Sequence, residues 1–423
     1  MKNWLNRFRK NSPLRQVGPG LITGAADDDP SGIATYSQAG AQFGLNMLWT
    51  VVFAYPLMVG IQVVSARIGR VTGKGLAANI QRIYPAWVLY GIVTLLLVAN
   101  TINIAADIAA MGEALRLVVG GTAQAYAIMF GLISLLLQVF IPYKQYVRVL
   151  KWLTLALFAY VGVVFTVQVP WSEVAARTLV PELVINADSM LVVVAVLGTT
   201  ISPYLFFWQA SQEVEEIRAD PHAEALLDKP QSARRSLRRI KIDTYLGMGF
   251  SNLIAYSIIL SAAVTLHNAG ITSIESSAQA AQALRPVAGD LAFLLFSLGI
   301  IGTGMLAVPV LAGSTAYALT EILKLPNGLD RKPLQAKGFY GIIVFGTVAG
   351  ALMSFTPIDP IKALFWSAVL NGVIAVPIMA LMMLLGARRD IMGSFIITRR
   401  LQILGWLATL VMLVAVILMF VYW

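Results

Sequence analysis

Cysteine is absent from the 423 residues, and histidine occurs twice, at His222 and His267. The first absence excludes disulfides, iron–sulfur clusters and thiolate zinc sites. Both histidines fall in expected loops, so no imidazole is expected within a membrane span. Charge is scarce as well. Asp, Glu, Lys and Arg make up 12% of the chain, against roughly 25% in a soluble domain. The basic start, MKNWLNRFRKNSPLR, is followed by no small-residue cleavage site, and it reads as mature protein and not as a signal peptide. In place of these features stands apolar sequence. Hydrophobic residues are 58% of the chain, and runs long enough to cross a bilayer recur along its whole length. The chain reads as a polytopic α-helical membrane protein with one transport domain over residues 1–423.

The runs place eleven spans at 17–43, 46–66, 86–115, 121–141, 150–170, 188–213, 243–266, 290–318, 338–355, 362–386 and 402–422. With the N-terminus inside, 27 of the 31 Lys and Arg fall in inner segments. The strays are Arg116, Arg177, Arg285 and Lys362. The positive-inside rule then predicts a cytoplasmic N-terminus and an outer C-terminus, in a bacterial plasma (inner) membrane. The net charge of +10 therefore reports topology, and no nucleic-acid partner is expected.

Residues 24–32 read GAADDDPSG. Carboxylates at membrane depth are costly and are functional by default. The bland reading makes Asp29 an N-cap and Pro30 the first helical residue, with the acids in water. Against it, 17–26 and 31–43 are each too short to cross alone, whereas joined they make one broken span. Broken helices are tolerated where they line a polar cavity. A second break matches the first: in LVVVAVLGTTISPYLFFWQASQ, Pro203 follows Gly198, Thr199, Thr200 and Ser202. A lone proline would be a kink. Two interrupted spans, each heading a group of five, point to a transport site between inverted repeats, about 17–170 and 188–386, with an extra helix at 402–422.

These residues resemble the Nramp family of divalent metal transporters, whose first helix carries Asp-Pro-Gly-Asn after a Gly-Pro-Gly. Here Gly18-Pro19-Gly20 precedes Asp29-Pro30-Ser31-Gly32, and QAGAQFG follows at 38–44. Asp107, Asp243, Asn252 and Leu311-Ala312-Gly313-Ser314 extend the similarity along the chain. The resemblance implies an all-α LeuT-like fold: two inverted five-helix repeats plus an eleventh helix. It departs from the family where selectivity is set. The family's Asn is Gly32, its Met-Pro-His is Ser202-Pro203-Tyr204, a further His aligns with Gln209, and the third-span Glu is Ala110.

Without the thioether, only hard oxygen donors remain in the motif. Mg2+, held by one or two carboxylates plus waters, suits such a site. The expected ion residues are Asp29, Gly32 (a roomier position), Ser202 and Thr199, the last through a backbone carbonyl freed by the break. Asp27 and Asp28 add negative potential, Asn371 a polar contact. Asp107 either carries a proton or packs against Asn103. The expectation is Mg2+ uptake by a branch related to Nramp, with little or no proton coupling, no resident cofactor, and the lipid bilayer and the ion as partners. The alternative is a proton-coupled Mn2+/Fe2+ carrier.

Other readings carry less. GRVTGKG (69–75) has one residue too few for a P-loop, and Gly75 where Ser or Thr would hold Mg2+, so no nucleotide is expected. Glu213, Glu215 and Glu216 read as a solvated helix end or as an acidic vestibule. An intramembrane enzyme would need a paired-acid motif that is missing. An organic-anion symporter of the same fold would meet three repelling carboxylates.

Overall fold

The computed structural model describes residues 23–24, 26–141, 145, 152–182, 185–353, 355 and 359–423. Gly18-Pro19-Gly20, the basic N-terminus and most of the inner segment at 144–151 lie outside the described residues. Among the described residues the regular structure is wholly helical. The long helices are α1 (Pro30–Phe43), α2 (Leu48–Thr72), α4 (Ala86–Val119), α5 (Ala123–Phe140), α8 (Ala187–Thr200), α9 (Pro203–Ala219), α10 (Ala233–Ala262), α11 (Ala292–Ile322), α12 (Lys337–Met353), α13 (Pro360–Ala387) and α14 (Arg399–Tyr422). Shorter ones are α3 (Leu76–Gln81), α6 (Phe158–Thr166) and α7 (Trp171–Leu179).

Where the expected spans fall on described residues they fall on helices; the first is described only from Thr23 and the fifth only from Trp152. The fifth differs most from expectation: its helical stretch from Leu155 to Thr166 meets α7 at a bend of 119°. Val167–Pro170 interrupts the helix there, and Trp171–Leu179 is a separate helix with charged residues Glu173 and Arg177. The seventh span ends in a π-turn, Ala263–His267. His267 is therefore not a loop residue; its Nδ1 lies 2.8 Å from the Ala41 carbonyl oxygen, near the end of α1.

Both proline breaks are present, for the same reason. Pro lacks an N–H and biases the preceding residue away from helix. Asp29 (ψ 170°) and Ser202 (ψ 128°) are extended, and each proline opens a new helix. Burial sorts the helices. The apolar stretch of α8–α9 is 94% buried, against 39% for α14 and 28% for α5. The first lies inside the bundle and the other two on its outside.

Glycine sets the closest approaches. A methyl group on Gly40 would lie 2.2 Å from the Ile259 carbonyl oxygen, so α1 and α10 touch backbone to backbone. One on Gly198 would lie 2.1 Å from the Ala368 carbonyl oxygen, which fixes α8 against α13. Small residues allow such contact where no hydrophobic force separates helix from lipid. α1 is thus clasped by α8, α10 and α13, with the Asp29 break deep in the bundle.

Candidate metal-ion site

The bland reading of Asp29 is right about geometry and wrong about solvent. Asp29 is the N-cap of α1 and Pro30 its first residue, yet Asp27, Asp28 and Asp29 are 0%, 1% and 1% exposed. Capping and burial coincide because the helix begins inside the protein.

The Asp29 carboxylate is held from both sides. Oδ1 accepts from Ser31 Oγ at 2.5 Å and from the Gly32 N–H at 2.8 Å. Oδ2 lies 3.1 Å from Asn103 Nδ2 and 3.2 Å from the Tyr204 hydroxyl. A carboxylate has about four acceptor positions, and donors stand at all four. Asn103 Nδ2 also lies 3.5 Å from Asp107 Oδ2. Asn103 on α4 thus connects the carboxylates of Asp29 and Asp107. Of the two readings of Asp107, packing against Asn103 is the contact the structure contains.

Asp27 and Asp28 share a partner. Ser251 Oγ on α10 lies 2.8 Å from Asp27 Oδ2 and 2.9 Å from Asp28 Oδ1. One hydroxyl has one proton, so it donates to one carboxylate at a time. Around these acids several buried polar atoms have no protein partner: Asp27 Oδ1, Asp28 Oδ2, Asn103 Oδ1, Asp107 Oδ1 and Thr199 Oγ1; Oδ1 and Nδ2 of Asn371 on α13 are likewise without one. Buried polar atoms are seldom left so. A cation with its remaining water matches a set this rich in oxygen.

Three expectations need correction. Gly32 opens no roomier position: a methyl group there would already lie 3.2 Å from Thr199 Oγ1 and 3.3 Å from Tyr36 Cε2. What Gly32 supplies is its N–H to Asp29. The Thr199 carbonyl is not free either, since Ser202 Oγ donates to it at 2.8 Å and reaches the Gly198 carbonyl at 3.1 Å. The unengaged oxygen of Thr199 is its hydroxyl. Ser202 keeps lone pairs for an ion, but its proton is tied to the end of α8.

Glu213 is the third. It is 0% exposed and paired with Arg239, Nη2 to Oε2 at 2.6 Å; Arg239 also reaches Glu216 at 2.7 Å. It is neither a solvated end nor a vestibule, because α10 begins over it with a basic run. Glu215 is likewise buried, bonded to the Tyr317 hydroxyl and the Leu329 N–H.

The sequence reading missed Tyr204 as a contact of Asp29, and it placed Asn103 beside Asp107 without its contact to Asp29. Tyr204 aligns with a family histidine, which was read as a loss; its hydroxyl, 3.2 Å from both Asp29 Oδ2 and the Ala26 carbonyl, shows a replacement. Asn103 is four residues before Asp107, one helical turn, which was the available signal. At the end of α1 away from Asp29, Ala34, Gln38, Gln42, Asp188, Lys362 and Trp366 line a cavity of about 230 Å3.

Two helix breaks, at Asp29 and at Ser202, brought together by the Tyr204–Asp29 contact beside buried carboxylates in an all-helical bundle, define a membrane transporter of LeuT-like fold. The backbone is similar to a histidine-to-alanine mutant of the Eremococcus coleocola manganese transporter, with TM-score 0.74 and 16% identity over 96% of this chain and 85% of that one. It is similar also to Mhp1, a nucleobase-cation-symport-1 family transporter, with TM-score 0.55 and 15% identity over 96% and 92%.

Residues 20–422 match the Nramp family, described as natural resistance-associated macrophage protein-like, and the chain belongs to that family of divalent metal transporters. Curated relatives called divalent metal cation transporter MntH come from Yersinia enterocolitica, 27% identical over 96% of this chain and 95% of that one, and Deinococcus radiodurans, 26% over 94% and 87%.

Proposed function

We propose that the ion position lies at Asp29, between the breaks of α1 and α8–α9, and that the chain carries Mn2+ through it. The Mn2+ reading rests on the names of its relatives and of the solved transporter of like fold. The observation that supports the position is the Asp29 carboxylate, wholly buried at a helix break among oxygens without protein partners. Mn2+ accepts an octahedral oxygen set, so the missing thioether is no obstacle to it.

A second reading, Mg2+ as a substrate of a related branch, is favoured by the donor set itself. The motif positions offer Asp29, Ser202 and Thr199, all hard oxygen. Nothing among the relatives' names supports it. The family alternative includes proton coupling; Ala110 in place of the third-span Glu speaks against it, and His267, which closes the seventh span, lies against the Ala41 carbonyl at the end of α1 away from Asp29.

Uptake into proteoliposomes with Mn2+ and Mg2+ in parallel, and a pH dye inside, tests all three. Asp29→Ala is expected to abolish uptake of either ion while the protein elutes and melts as a folded monodisperse species. Unchanged uptake removes Asp29 from the site. Millimolar Mg2+ that neither enters nor slows Mn2+ entry removes the Mg2+ reading.

A further inference from the structure

α2, α9 and α11 end together, on the side of the bundle where the basic loops gather, around an open cavity of about 760 Å3. That is within the range of small-molecule sites, about 300–1,000 Å3. Lys74, Arg82, Arg218, Lys324 and Arg331 line it, with a single carboxylate, Glu321. Among the described residues no carboxylate pairs with any of these five cations. Glu321 is engaged elsewhere. Its Oε2 accepts from the Ala78 N–H at 3.0 Å, and Oε1 lies where a methyl group on Gly75 would be. It closes the start of α3.

Two features show order in this cavity. Arg218 is steadied by Asn327, with Nη1 3.1 Å from both its carbonyl and its side-chain oxygen. Lys324 has φ +53°, the one described non-glycine residue in the left-handed region. It lies two residues beyond the end of α11, where the Leu325 N–H returns to the Thr320 carbonyl at 2.9 Å. Helices commonly end this way on glycine. A side chain is strained there, and such strain collects at ligand-binding positions. The positive-inside rule explains why cations gather on this side. It does not explain five lining one cavity without carboxylate partners, one of them at a strained position.

The P-loop-like segment Gly73-Lys74-Gly75 forms part of the wall, but not as a Walker cradle, since Glu321 already meets the backbone of α3. Recognition falls to the side chains. Guanidinium and ammonium groups converging in this way suit phosphate oxygens. We infer that this cavity binds a phosphate-bearing polyanion, either a soluble di- or triphosphate or the headgroup of an anionic lipid. The inference is independent of which cation is carried.

The test is binding by the full-length protein. Sodium tripolyphosphate is titrated in metal-free detergent buffer, with sodium sulfate at matched ionic strength as control. In parallel, unfolding is followed in nanodiscs of phosphatidylcholine with and without phosphatidylglycerol. Lys324→Gly relieves the strained end of α11, and Arg331→Gln is exposed, so the double variant is expected to fold. Tripolyphosphate is expected to bind, and the double variant to weaken it at least tenfold. If the source is lipid, phosphatidylglycerol stabilises wild type and not the double variant, and tripolyphosphate is without effect. Responses equal in wild type and double variant in both arms, or matched by sulfate, overturn the assignment.

Discussion

At the scale of single residues, the site turns on how Asp29 is held. Its oxygens already face Ser31, Gly32, Asn103 and Tyr204, so an arriving cation competes with protein donors. A hydrogen bond to a charged group contributes about 1.5–3 kcal/mol. Tyr204→Phe removes one competitor and is expected to raise Mn2+ affinity several-fold by calorimetry; weaker binding would mean that the phenol oxygen is itself a ligand. Ser202→Met loses the hydroxyl tie to the end of α8 and adds a soft donor. It is expected to raise the preference for Mn2+ over Mg2+ in competition uptake. An unchanged ratio would mean that this position does not set selectivity. Pairing it with Gly32→Asn is a poorer test than the sequence suggests, because Tyr36 and Thr199 occupy that space.

At the scale of elements, the breaks were legible and the contacts were not. Proline and its extended neighbour mark a helix break locally, so residues 29–30 and 202–203 could be read from the chain. Glu213 could not. In sequence it sits among polar residues of a span's end, and only the start of α10 brings Arg239 over it. Removing one partner of a buried pair costs about 3–5 kcal/mol, whereas replacing both is far milder. Arg239→Met is therefore expected to lower the melting temperature by several degrees. Arg239→Met with Glu213→Leu should recover much of that loss. Equal losses in the two would mean that Arg239 acts through Glu216, its half-buried partner.

At the scale of the molecule, the chain's own lack of cysteine supplies a test of its orientation. Single cysteines are introduced at Lys229 and at Glu182, both surface positions. If the segments that hold 27 of the 31 Lys and Arg are the inner ones, as the positive-inside rule predicts, an impermeant maleimide applied to intact cells labels the Glu182 variant and spares the Lys229 variant. The reverse pattern would invert the assigned topology.

The sequence by itself determined the class of protein, its helical fold and the two breaks. Each of these follows from local chemistry: a run of apolar residues, a missing N–H, a bias of charge between loops. Tertiary structure alone decided what the polar residues near the breaks do. Thr199 offers its hydroxyl because Ser202 takes its carbonyl, and Gly32 offers an N–H because Tyr36 and Thr199 fill the space beside it. Glu213 is latched and not solvated because α10 begins over it. Tyr204 and Asn103 join the site from helices far along the chain, 175 and 74 residues from Asp29. A donor's partner is fixed by which helices meet in space, and no local pattern contains that.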